Sequence, residues 1–166
     1  MRNLFIFTTL ALLSAFMEEA AFAQASVNQN VTLAVNPIYR MSVSGDPAPL
    51  TITDGVAGDD NLVPVSDNTT SYSITQNVGN TIKITAEIDA ALASGYTLEL
   101  NLASTKGTSA GDMDISNAIS GSAVDCVTGI ARGADANRSI LYTFSATATA
   151  GTLASTVRTV TLTLTN

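Results

Sequence analysis

Histidine and tryptophan are absent from this chain, and cysteine occurs once, as Cys126. Without histidine and with one cysteine, the chain cannot supply the usual zinc ligands, nor a Ser-His or Cys-His nucleophile pair. The sequence therefore predicts that the protein is not an enzyme. An internal disulfide is also excluded. Because Cys126 stands among Ala123, Val124 and Val127, a buried unreactive thiol and an intermolecular disulfide remain the two interpretations of this residue.

Charged residues are few, and most of them are acidic. Lysine and arginine total 7 against 14 aspartate and glutamate, which gives a net charge of −7. A sparsely charged acidic chain binds nucleic acid and anionic membrane surfaces poorly. We therefore expect no nucleic-acid partner, and we interpret the negative charge as an aid to solubility.

Acidic loops raise the question of a bound metal. Asp54, Asp59, Asp60 and Asn61 share one loop, and calcium takes clustered oxygen ligands from loops. However, no stretch has the spacing of an EF-hand, and Asp and Asn commonly cap turns with their own side chains. No cofactor is therefore predicted, and calcium is left as the alternative.

Aromatic residues are also scarce. Sugar-binding sandwiches typically present exposed aromatic rings on which a sugar stacks. Here the tyrosines fall in phase with apolar rows, which predicts positions in the core rather than a stacking platform. The four tyrosines are Tyr39, Tyr72, Tyr96 and Tyr142.

The N-terminal residues have the three parts of a secretory signal peptide. Arg2 precedes an apolar run from Leu4 to Phe16, and Ala21-Phe22-Ala23 is a small-residue cleavage site. The apolar run is too short for a permanent membrane anchor. We therefore predict a cleavable signal peptide over residues 1–23 and a mature domain over residues 24–166 without an integral membrane segment. Its predicted location is the periplasm, the outer surface or the surroundings of a bacterium.

Beyond the signal peptide, apolar and polar residues alternate in short stretches separated by turn-forming residues. The clearest stretches are 81–89 and 96–102, which we expect to form a hairpin, and 138–148 and 156–166. Eight or nine such strands predict an all-β fold, a single two-sheet antiparallel β-sandwich of immunoglobulin-like or pilin-like type. The other predicted strands are residues 27–35, 38–44, 50–53 and 70–76, and short extended stretches are expected at 62–65 and, one or two of them, within 113–130.

The first predicted strand lies beside the predicted mature N-terminus. Four apolar residues fall on one face at a period of two, and Gln29 interrupts their row. Such a strand can complete a sheet of its own domain or be donated to a neighbour. We predict that residues 24–35 form an exchangeable N-terminal strand. Its predicted assembly residues are Val27, Val31, Leu33 and Val35.

Both ends of the mature chain carry a family resemblance. Ala150-Gly151-Thr152, followed by Val157 to Leu164, resembles the end of bacterial fimbrial and spore-coat-U-like secreted β-sandwich proteins. The start, from Ala25-Ser26 through Val31-Thr32-Leu33 to Asn36-Pro37-Ile38, is similar to small exported domains of the same kind. Classical pilins usually contain a disulfide, which this chain cannot form internally. The resemblance implies a structural subunit at the cell surface.

These patterns together predict a secreted bacterial structural protein, a subunit of a surface fibre or coat. Its predicted partner is another copy of itself, and assembly would proceed by β-strand addition, in which an extended segment joins the sheet of a neighbour. The alternative is an extracellular adhesion or binding module for a carbohydrate or a protein, with or without stabilisation by calcium.

Overall fold

The computed structural model describes residues 25–79 and 81–166. The predicted signal peptide, residues 1–23, lies outside these ranges. The chain divides into two compact units, residues 1–34 and residues 35–166. In the first unit, the described residues 25–34 are exposed and belong to no strand or helix.

Within the described residues, nine strands lie in the second unit. They are β1 (Tyr39–Val43), β2 (Val65–Gln76), β3 (Ile82–Ile88), β4 (Tyr96–Leu102), β5 (Thr108–Ser109), β6 (Met113–Asp114), β7 (Val124–Ile130), β8 (Gly133–Ala146) and β9 (Val160–Thr165). One antiparallel sheet has the order β1-β2-β8-β4-β6 and the other β5-β7-β3-β9. This arrangement confirms the predicted all-β sandwich. A short 3-10 helix, Ala148–Ala150, follows β8.

Period-two alternation positions the core between the two sheets. In β3, Ile82, Ile84, Ala86 and Ile88 are buried, whereas Lys83 on the opposite face is half-buried. The same alternation lets each long strand bury one face and hydrate the other. The other large buried residues of the strands are Tyr72, Ile74, Leu98, Leu100, Leu102, Val127, Ile130, Ile140 and Tyr142.

The prediction that residues 81–89 and 96–102 form a hairpin is wrong. The two stretches become β3 and β4, which lie in different sheets. The link between them crosses from one sheet to the other, and the backbone N–H of Leu92 donates a hydrogen bond of 2.9 Å to the carbonyl of Ser116. Alternation identifies the buried face of a strand but carries no information about its partner.

Other strand boundaries also differ from the prediction. Residues 50–53 form no strand, although Leu50 packs against the core, and residues 62–64 contribute only an isolated bridge between Leu62 and Gly55. β8 begins at Gly133, within a predicted loop, because its first residues pair with the end of β2. Long-range pairing therefore extends β8 beyond its apolar pattern.

A close backbone approach next to β5 provides a test of the packing. A Cβ atom at Gly107 would lie 2.8 Å from the carbonyl oxygen of Thr128 and 2.8 Å from side-chain carbons of Val127 and Ile130. We expect Gly107→Ala to lower the free energy of unfolding by about 2 kcal/mol, since overpacking forces neighbouring atoms to shift. Urea denaturation measures this change.

Gly79 is the matched control for this substitution. A Cβ atom there would meet nothing within 4 Å. Gly79→Ala is therefore expected to change the free energy of unfolding by less than about 1 kcal/mol, in the stabilising direction, since alanine restricts the unfolded chain. Equal effects of the two substitutions would contradict the packing at Gly107.

Six of the nine strands in the described residues follow the order of an immunoglobulin-type sandwich, whereas β5, β6 and β7 are additional to it. In that fold, strands A, B, E and D form one sheet, and C, F and G form the other. Here β1, β2, β8 and β4 occupy positions A, B, E and D, while β3 and β9 occupy C and F. Among the described residues, no strand pairs with β9 on the side away from β3. The position of strand G, beside β9, is therefore open.

Candidate assembly site

The edge strand β9 presents an apolar row beside the open position. Val160, Leu162 and Leu164 pair with buried residues of β3, so their side chains point between the sheets. All three pack against the core, yet they remain only half-buried. In a closed sandwich, a further strand on this side would cover them.

The backbone of β9 has hydrogen-bonding groups directed to the same open side. The carbonyl of Thr159 accepts a bond of 3.0 Å from the N–H of Asp89, just beyond β3. In an antiparallel ladder, alternate residues direct both backbone groups to the same neighbour. The threonines of β9 therefore bond to β3. Val160, Leu162 and Leu164 direct their N–H and C=O groups outward.

β1, the edge of the other sheet, has the same geometry. The N–H of Ser44 donates a bond of 2.9 Å to the carbonyl of Ser71, which continues the ladder with β2. By the same alternation, Tyr39, Met41 and Val43 direct their backbone groups away from β2. These three residues also pair with buried residues of β2, so their side chains point inward.

The two apolar rows together flank an incompletely covered side of the sandwich. We call this set of six residues the open side: Tyr39, Met41, Val43, Val160, Leu162 and Leu164. Although they point inward, Val43 is 54% exposed and Tyr39 is 37% exposed. β1 and β9 approach each other to within 8 Å between Cα atoms, but no ladder joins them. The other four residues are half-buried and pack against the core, so this side of the sandwich is only partly covered.

The predicted assembly residues are highly exposed. Val27 is 89%, Val31 73%, Leu33 87% and Val35 82% exposed, and residues 25–38 belong to no strand. The predicted strand 27–35 is therefore absent from the single chain, because these residues have an alternating sequence but no partner strand.

One polar residue at this end of the domain was not found from the sequence. The side chain of Asn77, just after β2, accepts a 2.7 Å bond from the N–H of Ile38 and donates a 2.9 Å bond to the carbonyl of Asn36. It thereby ties the residues on both sides of Pro37 to the end of β2. A lone asparagine in a turn has no sequence pattern that reveals a partner about forty residues away.

The acidic loop that suggested calcium uses its carboxylates in hydrogen bonds to other residues of the chain. Asp59 accepts a bond of 2.9 Å from the N–H of Asn61, and Asp60 accepts bonds of 3.0 and 3.1 Å from the N–H and hydroxyl of Thr149. The first is a turn-capping contact within the loop, whereas the bonds of Asp60 hold the loop to the 3-10 helix Ala148–Ala150. Among the described residues, no three His, Cys, Asp or Glu side chains form a group that could hold a metal ion.

Cys126 is buried on the inward face of β7. Its Sγ atom lies 3.8 Å from the carbonyl oxygen of Val124, and burial raises the pKa of the thiol to about 11. Burial also raises the pKa of the nearby Tyr142 hydroxyl to about 12. Of the two interpretations of Cys126, the buried thiol fits this environment, since a reactive cysteine needs both exposure and a lowered pKa.

Comparisons with known proteins do not assign the chain to a family, so the interpretation of the site rests on its geometry. No known family model matches the chain, and a search of curated proteins finds no significantly similar sequence. Within the described residues, no helix is both long and apolar enough to cross a membrane.

Proposed function

We propose that this protein is a structural subunit of a bacterial surface fibre or coat, assembled by β-strand addition. The N-terminal segment of one copy occupies the open position beside β9 of the next copy. The observation that carries the proposal is the open side, where apolar side chains and unpaired backbone groups lie along the same edge. Main-chain hydrogen bonds supply affinity in this mode of recognition, and alternate side chains fill the pockets.

Strand directions favour a donor from a second copy. β1 runs opposite to β2, and β9 runs opposite to β3. Gln76, at the end of β2, donates a hydrogen bond to the carbonyl of Ile130, which lies opposite Ile82 at the start of β3. The start of β3 therefore lies beside the end of β2, so β3 runs back along the sandwich and β9 runs opposite to β1. A strand antiparallel to β9 is therefore parallel to β1. Parallel strands need a crossover of about a dozen residues, but only residues 36–38 separate the segment from β1. The segment cannot reach this position in its own domain in the antiparallel direction.

The spacing of the two apolar rows supports one register. With Leu33 opposite Leu162, Val31 lies opposite Leu164 and Val35 opposite Val160. Gln29, the polar interruption, then falls opposite Asn166, beyond the last residue of β9. The polar residue thus needs no pocket. Because donor and acceptor are different surfaces of the chain, the contact is head-to-tail and repeats along an open polymer.

Electron microscopy of the mature chain tests this proposal. Residues 24–166 are expected to form filaments in negative stain, and residues 36–166 are expected to remain monomeric. Leu33→Asp should abolish the filaments, because a carboxylate in an apolar pocket is costly to desolvate. Thr32→Asp is the matched control, since its side chain points to the opposite face of the donated strand and filaments should persist.

A monodisperse monomer of residues 24–166 would contradict the proposal, provided that removal of residues 24–35 also leaves its unfolding unchanged. Filaments from both Leu33→Asp and the deleted chain would contradict the assigned donor, because assembly would then use another surface.

A further inference from the structure

We infer that Asn77 is a positioning residue that fixes the direction in which the N-terminal segment leaves the domain and so makes the proposed fibre stiff. We call the contacts of Asn77 with Asn36 and Ile38 the clamp. The consequence for the fibre rests on the proposed function, whereas the clamp is a property of the single chain. Three contacts made by this one residue carry the inference.

The contacts bracket the two residues nearest to Pro37. The side-chain oxygen of Asn77 accepts from the N–H of Ile38 at 2.7 Å, and its backbone N–H donates to the carbonyl of Ile38 at 3.3 Å. The side-chain nitrogen donates to the carbonyl of Asn36 at 2.9 Å. Because the ring of Pro37 restricts its own φ angle, the chain between these contacts has little freedom.

The clamp ends where the proposed donor begins. Val35 directly precedes Asn36 and so lies just outside the clamp. It is the last residue of the segment that would pair with β9 of the neighbouring copy. The Cα atoms of Val35 and Asn36 are separated by about 3.8 Å, the spacing across one trans peptide. The link between two subunits is therefore a single peptide unit, too short to act as a flexible linker. Loss of the clamp would lengthen this link to the three residues before β1.

Spin labelling tests the clamp in the monomer. The label is attached to Val35→Cys in a chain of residues 24–166 kept monomeric by Leu33→Asp, and the native Cys126 is too deeply buried to react. Asn77→Ala is expected to shorten the rotational correlation time of the label by about twofold. Asn77→Asp keeps the acceptor for Ile38 but loses the donor to Asn36, so an intermediate value is expected.

Asn101→Ala is the matched control. Asn101 is half-buried like Asn77, and its side chain donates one bond of 2.8 Å to Asp112. Label mobility should be unchanged in this variant. If Asn77→Ala leaves the label as immobile as Asn101→Ala does, the inferred clamp is wrong.

Filaments of the unlabelled chain provide the second readout. Asn77→Ala should still assemble, because the open side and the donor residues are intact, but the persistence length measured by electron microscopy should fall several-fold. Filaments as stiff as those of the unsubstituted chain would overturn the inference. If the unsubstituted chain stays monomeric and its unfolding is unchanged by removal of residues 24–35, the proposed function fails, while the spin label still decides whether Asn77 holds the segment.

Discussion

A peptide of residues 25–35 is expected to raise the thermal midpoint of a chain of residues 36–166 by about 10 °C at a hundredfold excess over its dissociation constant. Binding to the folded state alone contributes about 2.7 kcal/mol at that concentration. Each kcal/mol shifts the midpoint of a domain of this size by about 4 °C. Differential scanning fluorimetry at increasing peptide concentration measures the shift.

Two altered peptides distinguish strand addition from nonspecific hydrophobic binding of the peptide. Leu33→Asp places a charge in the central pocket of the proposed register and should remove the stabilisation. Thr32→Asp changes the solvent-facing side of the same strand and should retain it. Stabilisation by both altered peptides, or by none of the three peptides, would contradict the assignment of the open side as the acceptor.

The largest loss of stability from a single polar substitution is expected at Asp135. Its side chain in β8 is only 1% exposed and forms an ion pair of 3.0 Å with the Nε atom of Arg138. It also accepts hydrogen bonds from Ser104, Thr105 and Lys106, which hold residues 104–106 to β8. Asp135→Asn should lower the free energy of unfolding by about 3 kcal/mol at pH 7, since the remaining partners lose a buried charge.

Acid should remove this contribution. Desolvation raises the pKa of Asp135, but hydrogen bonds from Thr105, Ser104 and Lys106 outweigh it and hold the pKa below its ordinary value. An aspartate with a lowered pKa stabilises the fold fully above its unfolded pKa of about 3.9 and loses this effect as the pH falls through the folded value. The difference between the parent chain and Asp135→Asn should therefore be constant at neutral pH and shrink below about pH 4.

The exposed ion pair of Lys83 and Asp125 is the control for Asp135. Its shortest distance is 2.8 Å, but the two side chains are 35% and 45% exposed. Asp125→Asn should cost less than about 1 kcal/mol, because solvent screens the pair. Urea denaturation of both variants at several pH values tests the contrast. Equal losses would show that burial does not set the strength of the Asp135 contacts.

Asp135 also illustrates which features of the fold a sequence reveals. The alternation in β3 and β4 correctly predicts these strands and their buried faces, because a period of two follows from the backbone alone. Asp135 lies in a predicted loop, and its partners are about thirty positions earlier in the chain, so no local pattern marks it. Burial and partners are properties of the three-dimensional arrangement.

Only one half of the candidate site, the proposed donor segment, is predictable from the sequence. The spacing of Val27, Val31, Leu33 and Val35 is enough to propose these residues as a donor segment. The open position beside β9 could not be predicted, since it depends on the order of strands in two sheets. The apolar row of β9 looks the same in sequence whether or not another strand covers it.

The remaining two edges of the sandwich limit the shape of any assembly. Opposite β1 and β9, the sheets end in β6 and β5, each two residues long. So short an edge has too few free backbone groups to nucleate a ladder, which is how natural sheets avoid uncontrolled pairing. In the proposed assembly, growth by strand addition would therefore be confined to one side of each subunit. The expected product is a one-dimensional polymer of single-subunit width, without the lateral branching that leads to amorphous aggregates.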